Sequence, residues 1–181
     1  MESNKLSASL KIALVLDDYY PSSSGVSRSI QSQIDELSAM GHHVTLIAPE
    51  KNFTPPKNAE HIALKSVQPP GALKHTAILS STARIAKRIT KNHQFDVIHS
   101  QTDTGALILS ARIAKIQHIP HIHTFHTNMA GSVSYYTKPK MLAATIAYRL
   151  LALKLHLIRR QKPIRTDRKS TRLNSSHIIE S

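Results

Sequence analysis

Two residues in this 181-residue chain stand where they could do chemistry. His126 closes the run His121-Ile122-His123-Thr124-Phe125-His126. An imidazole at the end of a strand can give, take or hold a proton near neutral pH, or partner a phosphate. Gly25 follows the turn-rich stretch Asp17–Ser24 and precedes a helical pattern. At a helix start the free backbone N–H groups and the helix dipole favour an anion. Each residue also has a plainer role. With twelve histidines in the chain, His126 could be a satisfied core or loop residue, and the Ser-rich turn could be a helix cap. His121, His123 and His126 raise the question of metal, but no Asp, Glu or Cys lies close by in sequence, so none is expected. No Ser–His–Asp order, paired carboxylates, dinucleotide glycine fingerprint or Walker loop is present.

A scaffold must bring these residues together. Lys11-Ile12-Ala13-Leu14-Val15-Leu16 is a continuous apolar run, as expected of a strand buried on both faces. Val26, Ile30, Ile34 and Leu37 recur at helical spacing, and Gly41 stands where a helix would stop. Residues 43–47 predict a second strand, halted by Pro49, and residues 61–66 a weaker third. Ile78, Thr82, Ile85 and Ile89 predict a helix with Arg84, Lys87, Arg88 and Lys91 on its wet side. Residues 96–100 predict strand four, after which Asp103 is placed to cap a helix to about Gln117, with Leu109, Ile113 and Ile116 facing inward. Pro120 breaks that helix, and residues 121–126 predict strand five. Strands separated by helices give βαβ units. The class is α/β, a Rossmann-like parallel sheet with helices on both faces. Ligands bind such sheets beyond the carboxyl ends of the strands, which gathers residues 17–25, 100–103 and 126–136 on one edge.

Composition narrows the classes. With no Cys, disulfide frameworks, thiolate zinc sites and cysteine nucleophiles are excluded, and a reducing compartment is expected. An apolar content of 40% with 19% charged residues reads as globular. The first ten residues carry Glu2 and no long apolar stretch, unlike a secretory signal. The apolar span 141–158 is interrupted by Arg149, Lys154 and His156, unlike a membrane helix. The expectation is a cytoplasmic protein. Its net charge is +13, and between Thr104 and Thr166 there are ten cations and no acidic residue. Such a segment attracts nucleic acid, anionic lipid or phosphorylated ligands, or else awaits an acidic partner segment. Pro139 and Pro163 bound a helix predicted over 141–160. Its Leu142, Ile146, Leu150, Leu153 and Leu157 form one stripe, while Leu151, Leu155 and Ile158 make the far side apolar too. A non-catalytic basic module that docks on anionic membrane or nucleic acid is therefore the alternative class. With three Phe, five Tyr and no Trp to stack bases, nucleic acid is the less expected partner.

Five motifs in order resemble those of glycosyltransferase family 4. They are Tyr20-Pro21, Gly25-Val26-Ser27-Arg28-Ser29-Ile30, Gly41-His42-His43-Val44, Phe95-Asp96-Val97-Ile98-His99 and Ile119-Pro120-His121-Ile122-His123-Thr124-Phe125-His126-Thr127. Over residues 8–160 they look like the N-terminal, "subfamily 4-like" half of the GT-B fold. Together with Tyr135-Tyr136 they are similar to enzymes that glycosylate diacylglycerol or phosphatidylinositol. The resemblance implies transfer of a hexose from a nucleotide sugar to a lipid or other acceptor, retaining, without metal or cofactor, and in possible contact with the inner face of an anionic membrane. It implies that Gly25 and Val26 lie near the donor phosphates, His126 beside the transferred sugar, and Tyr135 and Tyr136 on the acceptor side. Ser24 replaces the first glycine of a common Gly-Gly pair, and Gln101 replaces a common second histidine, which leaves the role of His99 at the site edge open.

Residues 167–177 have no apolar periodicity, and their codons can be chosen to spell a common sequencing-library adapter. They are expected to be adapter-derived and are set aside from fold reasoning. Removing residues 167–181 takes away three cations and two anions and leaves +12, so the basicity belongs to the rest. The expected organisation is a tail at 1–9, a truncated acceptor-side domain at 10–160 and a disordered tail at 161–181. Family members hold most of the nucleotide-sugar site in a second domain, so this chain is expected to be inactive alone.

Overall fold

Strand β1, Lys11–Val15, is apolar at successive positions because both of its faces are covered. Ala13 and Val15 join a core with Ile47, Leu79, Ile98, Leu109 and Ile113. Ile12, Leu14 and Leu16 join another with Ile30, Ile34, Val44 and Leu46 on the opposite face. The computed structural model describes residues 9–22, 24–68, 77–124, 126, 149, 153 and 156. Helix α1, Gly25–Ala39, packs its Ile30 and Ile34 on the second face. It ends as expected: Gly41 adopts φ +86°, its N–H reaches Ser38 O at 3.0 Å, and His42 N–H reaches Leu37 O at 3.0 Å.

Strands β2 (His43–Pro49) and β3 (Glu60–Leu64) follow, then a short antiparallel pair, β4 (Ser66–Val67) with β5 (Ile78–Leu79). Helix α2 (Ala83–Asn92), strand β6 (Val97–Ser100), helix α3 (Gly105–Gln117) and strand β7 (His121–His123) complete the described elements. The main sheet runs β3-β2-β1-β6-β7, all parallel. From β1 the chain builds outward to β3, then returns to build the other side through β6. The switch point of this order lies between β1 and β6, where a crevice forms at the carboxyl ends.

Several expectations need correction. Ile78 is not helical but lies in β5, because the helix begins only after Thr82, whose hydroxyl accepts from Ile85 N–H at 3.3 Å. The single third strand expected over 61–66 is two strands, β3 and β4. Ile116 is 41% exposed rather than inward-facing. Strand five stops at His123, so His126 lies past its end. Asp103 does not cap α3. Thr104 holds the cap position without a side-chain bond to the helix, and Asp17, 89 residues before Ala106, accepts the Ala106 N–H instead at 3.1 Å. Of the helix expected over 141–160, Arg149, Leu153 and His156 are helical and exposed, and the remainder lies outside the described residues, as does the tail after 156. Among the described residues no helix is long and apolar enough to cross a membrane.

Candidate active site

Asp17 leaves β1 directly into the crevice and is 2% exposed. Its carboxylate accepts from Leu79 N–H at 2.7 Å, Thr102 Oγ1 at 2.8 Å, Thr104 Oγ1 at 2.8 Å and Ala106 N–H at 3.1 Å. Burial pushes this carboxyl up, against four donors that pull it down. The helix it caps approaches very closely, because Gly105 has no side chain. A Cβ there would lie 2.3 Å from Leu79 O and 2.7 Å from Asp17 Oδ1. Asp17 and Gly105 thus lock β1, β5 and the start of α3 together beneath the edge where the candidate residues lie.

Gln101 is the hub of that edge. It follows β6 and is wholly buried. Its Nε2 donates to Gln33 Oε1 of α1 at 2.9 Å and lies 3.1 and 3.2 Å from the two ring nitrogens of His99. Its Oε1 is 2.7 Å from His126 Nε2. His99 in turn meets Thr124 Oγ1 at 2.7 Å. Burial, then the neighbouring His123 and His126, push His99 down to about 4. His126 is exposed and not sealed in the core. Burial of its ring lowers its pKa, Asp103 and Asp18 oppose that fall, and His123 assists it.

Beside this hub a second network runs through β7. Ser100 Oγ lies 2.8 Å from His121 Nε2 and 2.7 Å from His123 Nδ1, and His123 Nε2 lies 2.8 Å from Asp103 Oδ1. Sequence order offers no Ser–His–Asp chain and no carboxylate beside these histidines. The fold supplies both, because parallel strands align residues far apart in sequence. Ser100 is fully buried, so its hydroxyl cannot reach a substrate, and the chain braces β6 against β7. Among the described residues no group of three or more side chains is arranged to hold a metal.

The loop before α1 does what its serines suggest. Ser24 Oγ accepts from Ser27 N–H at 3.1 Å, and Ser27 Oγ accepts from Ser22 N–H at 2.9 Å. Ser24 is therefore the helix cap. Gly25 beside it is exposed, and a Cβ there would meet nothing within 4 Å, so neither the fold nor its packing demands a glycine. Val26 is half-buried. Gly25, Ser29 and Gln33 repeat every four residues on one helix face. Gln33 Nε2 donates to Ser29 Oγ at 3.0 Å and Gln33 Oε1 accepts from Gln101, so the hub meets that face of α1 two turns beyond Gly25. Tyr135 and Tyr136 lie outside the described residues. A cavity of about 730 Å³ lies at the amino edge of the sheet, against Lys11, His42, His43, Lys57 and His93, and contains none of the predicted site residues. Asp17, Asp18 and Gln33 were not singled out as site residues from sequence, and Asp103 was expected only as a helix cap. Only the two carboxylates directly after the first strand offered a signal there.

The profile of a family described as Glycosyltransferase Family 4 matches residues 23–160. The chain is 32% identical over 148 residues to an alpha-monoglucosyldiacylglycerol synthase of Streptococcus pneumoniae (strain ATCC BAA-255 / R6), an alignment that covers 81% of this chain and 33% of that protein. It is 27% identical over 153 residues to an alpha-monoglucosyldiacylglycerol synthase of Acholeplasma laidlawii, covering 81% of this chain and 37% of the relative. The chain thus spans about a third of the length of these curated relatives.

Proposed function

Because this chain belongs to glycosyltransferase family 4, we propose that it forms the acceptor-side part of an enzyme that moves a hexose from a nucleotide sugar onto a diacylglycerol-type lipid. Both relatives carry names that specify a glucosyl group on diacylglycerol, which supports the acceptor class and favours glucose. The observation that carries the proposal is His126, exposed past the end of β7 and bonded to a buried glutamine at the sheet's switch point. In the reaction the bond from the anomeric carbon to the phosphate oxygen breaks, the acceptor oxygen takes its place with retention, and the acceptor hydroxyl's proton leaves on the departing diphosphate. His126, whose pKa is lowered by partial desolvation against the pull of Asp103 and Asp18, accepts a hydrogen bond from the reacting sugar. The N–H groups of Gly25 and Val26, at the positive end of α1, receive the departing diphosphate. Tyr135 and Tyr136 line the acceptor path, and no metal or cofactor takes part.

Coverage of only about a third of the relatives' length supports the reading that further sequence completes the donor site and that the chain alone does not turn over nucleotide sugar. Net charge of +13 supports peripheral contact with an anionic membrane, where the lipid acceptor resides. The alternative of a non-catalytic basic module is less favoured, since both relatives are named as synthases. The test is transfer of labelled glucose from a nucleotide sugar to diacylglycerol in mixed vesicles by the longer protein that contains this segment. His126→Ala should lower kcat by about a hundredfold or more, with a smaller change in KM for the lipid. No transfer by the intact enzyme to any lipid, or a His126→Ala variant as fast as the parent, would overturn the assignment.

A further inference from the structure

We propose that Gln101 is a positioning residue that holds His126 as its Nε2–H tautomer and leaves the Nδ1 lone pair as the ring's acceptor for a sugar hydroxyl. The amide is completely buried, and its two ends are committed differently. Its Nε2 donates to Gln33 Oε1 at 2.9 Å and packs against the His99 ring, so Oε1 is the end that meets His126. A carbonyl oxygen only accepts, and at 2.7 Å the His126 Nε2 must therefore carry the hydrogen. In a neutral imidazole with Nε2 protonated, Nδ1 is the nitrogen that carries the acceptor lone pair. Every element packed nearby offers a charged or titratable group: Asp18 after β1, His99 on β6, Asp103 before α3 and His123 on β7. Gln101 Oε1 bears on the tautomer directly, because Nε2 is the His126 nitrogen it meets. Gln33 ties the hub to α1, so a shift of that helix is felt at the histidine through a single side chain.

The proposed function supplies only the sugar hydroxyl in this proposal. The tautomer itself is independent of any activity. The experiment is a long-range ¹H–¹⁵N correlation spectrum of the histidine-labelled chain near pH 7, with His126 assigned by the signals lost in His126→Gln. The expected pattern is a protonated Nε2 and an unprotonated Nδ1. Gln101→Glu keeps the acceptor and adds a negative charge at hydrogen-bond distance. It should raise the His126 titration midpoint by roughly one unit or more while preserving the tautomer. Gln101→Met removes the acceptor and should mix the tautomers; if that variant fails to fold, Gln101→Glu still decides. In the longer enzyme Gln101→Met should lower kcat about tenfold or more, with little change in KM for the nucleotide sugar. An Nδ1–H tautomer in the parent, or an unmoved midpoint in Gln101→Glu, overturns the proposal. The Nε2–H pattern in a protein that transfers no sugar would leave the positioning role standing and remove only the transferase reading.

Discussion

At the residue scale, one buried amide organises the carboxyl edge of the sheet. Gln101 places a neutral, bidirectional amide between two histidines and α1 without adding a titrating group. The cost falls on His99, which is held well below its ordinary range chiefly by burial. A depressed histidine contributes stability that is intact above its unfolded value near 6.5 and is lost as pH falls toward about 4. Thermal midpoints of the parent should therefore fall across that window, and His99→Gln should flatten the fall. Asp17 acts in the opposite sense, since a raised carboxyl favours the fold at low pH, so the parent-to-variant difference is the informative quantity. An equal slope in both proteins would remove His99 from the account. Gly25 gives a second test. Gly25→Ala should not lower stability, because the added carbon meets no atom within 4 Å, yet it should raise KM for the nucleotide sugar in the longer enzyme. An unchanged KM would return Gly25 to a plain helix-start role.

At the element scale, the start of α3 is held from outside the helix. The helix is apolar nearly all round and packs between the sheet and α2, so its first turn has little water to satisfy it. Asp17 supplies the acceptor that Thr104 does not. Asp17→Ala leaves the Leu79 and Ala106 N–H groups buried without that partner, at a cost of about 3 kcal/mol by denaturant unfolding. Gly105→Ala forces a carbon onto the Leu79 backbone and should cost about 1–3 kcal/mol. A loss under half a kcal/mol in either variant would show that this corner yields more readily than its contacts indicate.

At the scale of the whole molecule, the chain spans about a third of the length of its synthase relatives. We expect no turnover of nucleotide sugar by the chain alone and turnover by the longer protein, measured as labelled glycolipid. Steady turnover by the isolated chain would refute the proposal that the donor site is completed elsewhere. Flotation with vesicles containing anionic lipid should exceed flotation with neutral vesicles and should weaken with salt, because surface attraction is screened within about 10 Å at 0.1 M.

The order of strands and helices was legible in the sequence because apolar periodicity is a local property: Leu14 and Ile34 announce buried faces wherever they fold. Short motifs in register also carried the family. What local pattern could not reveal was pairing across the sheet. Asp103 looks like a cap beside its own helix, yet its carboxylate meets His123, while the helix is capped by Asp17 from another strand. Gln101 reads as a departure from a motif, and its role appears only when β6, α1 and the segment after β7 converge on one buried amide. Parallel topology brings these residues together, because it aligns the carboxyl ends of strands that the sequence separates by whole helices.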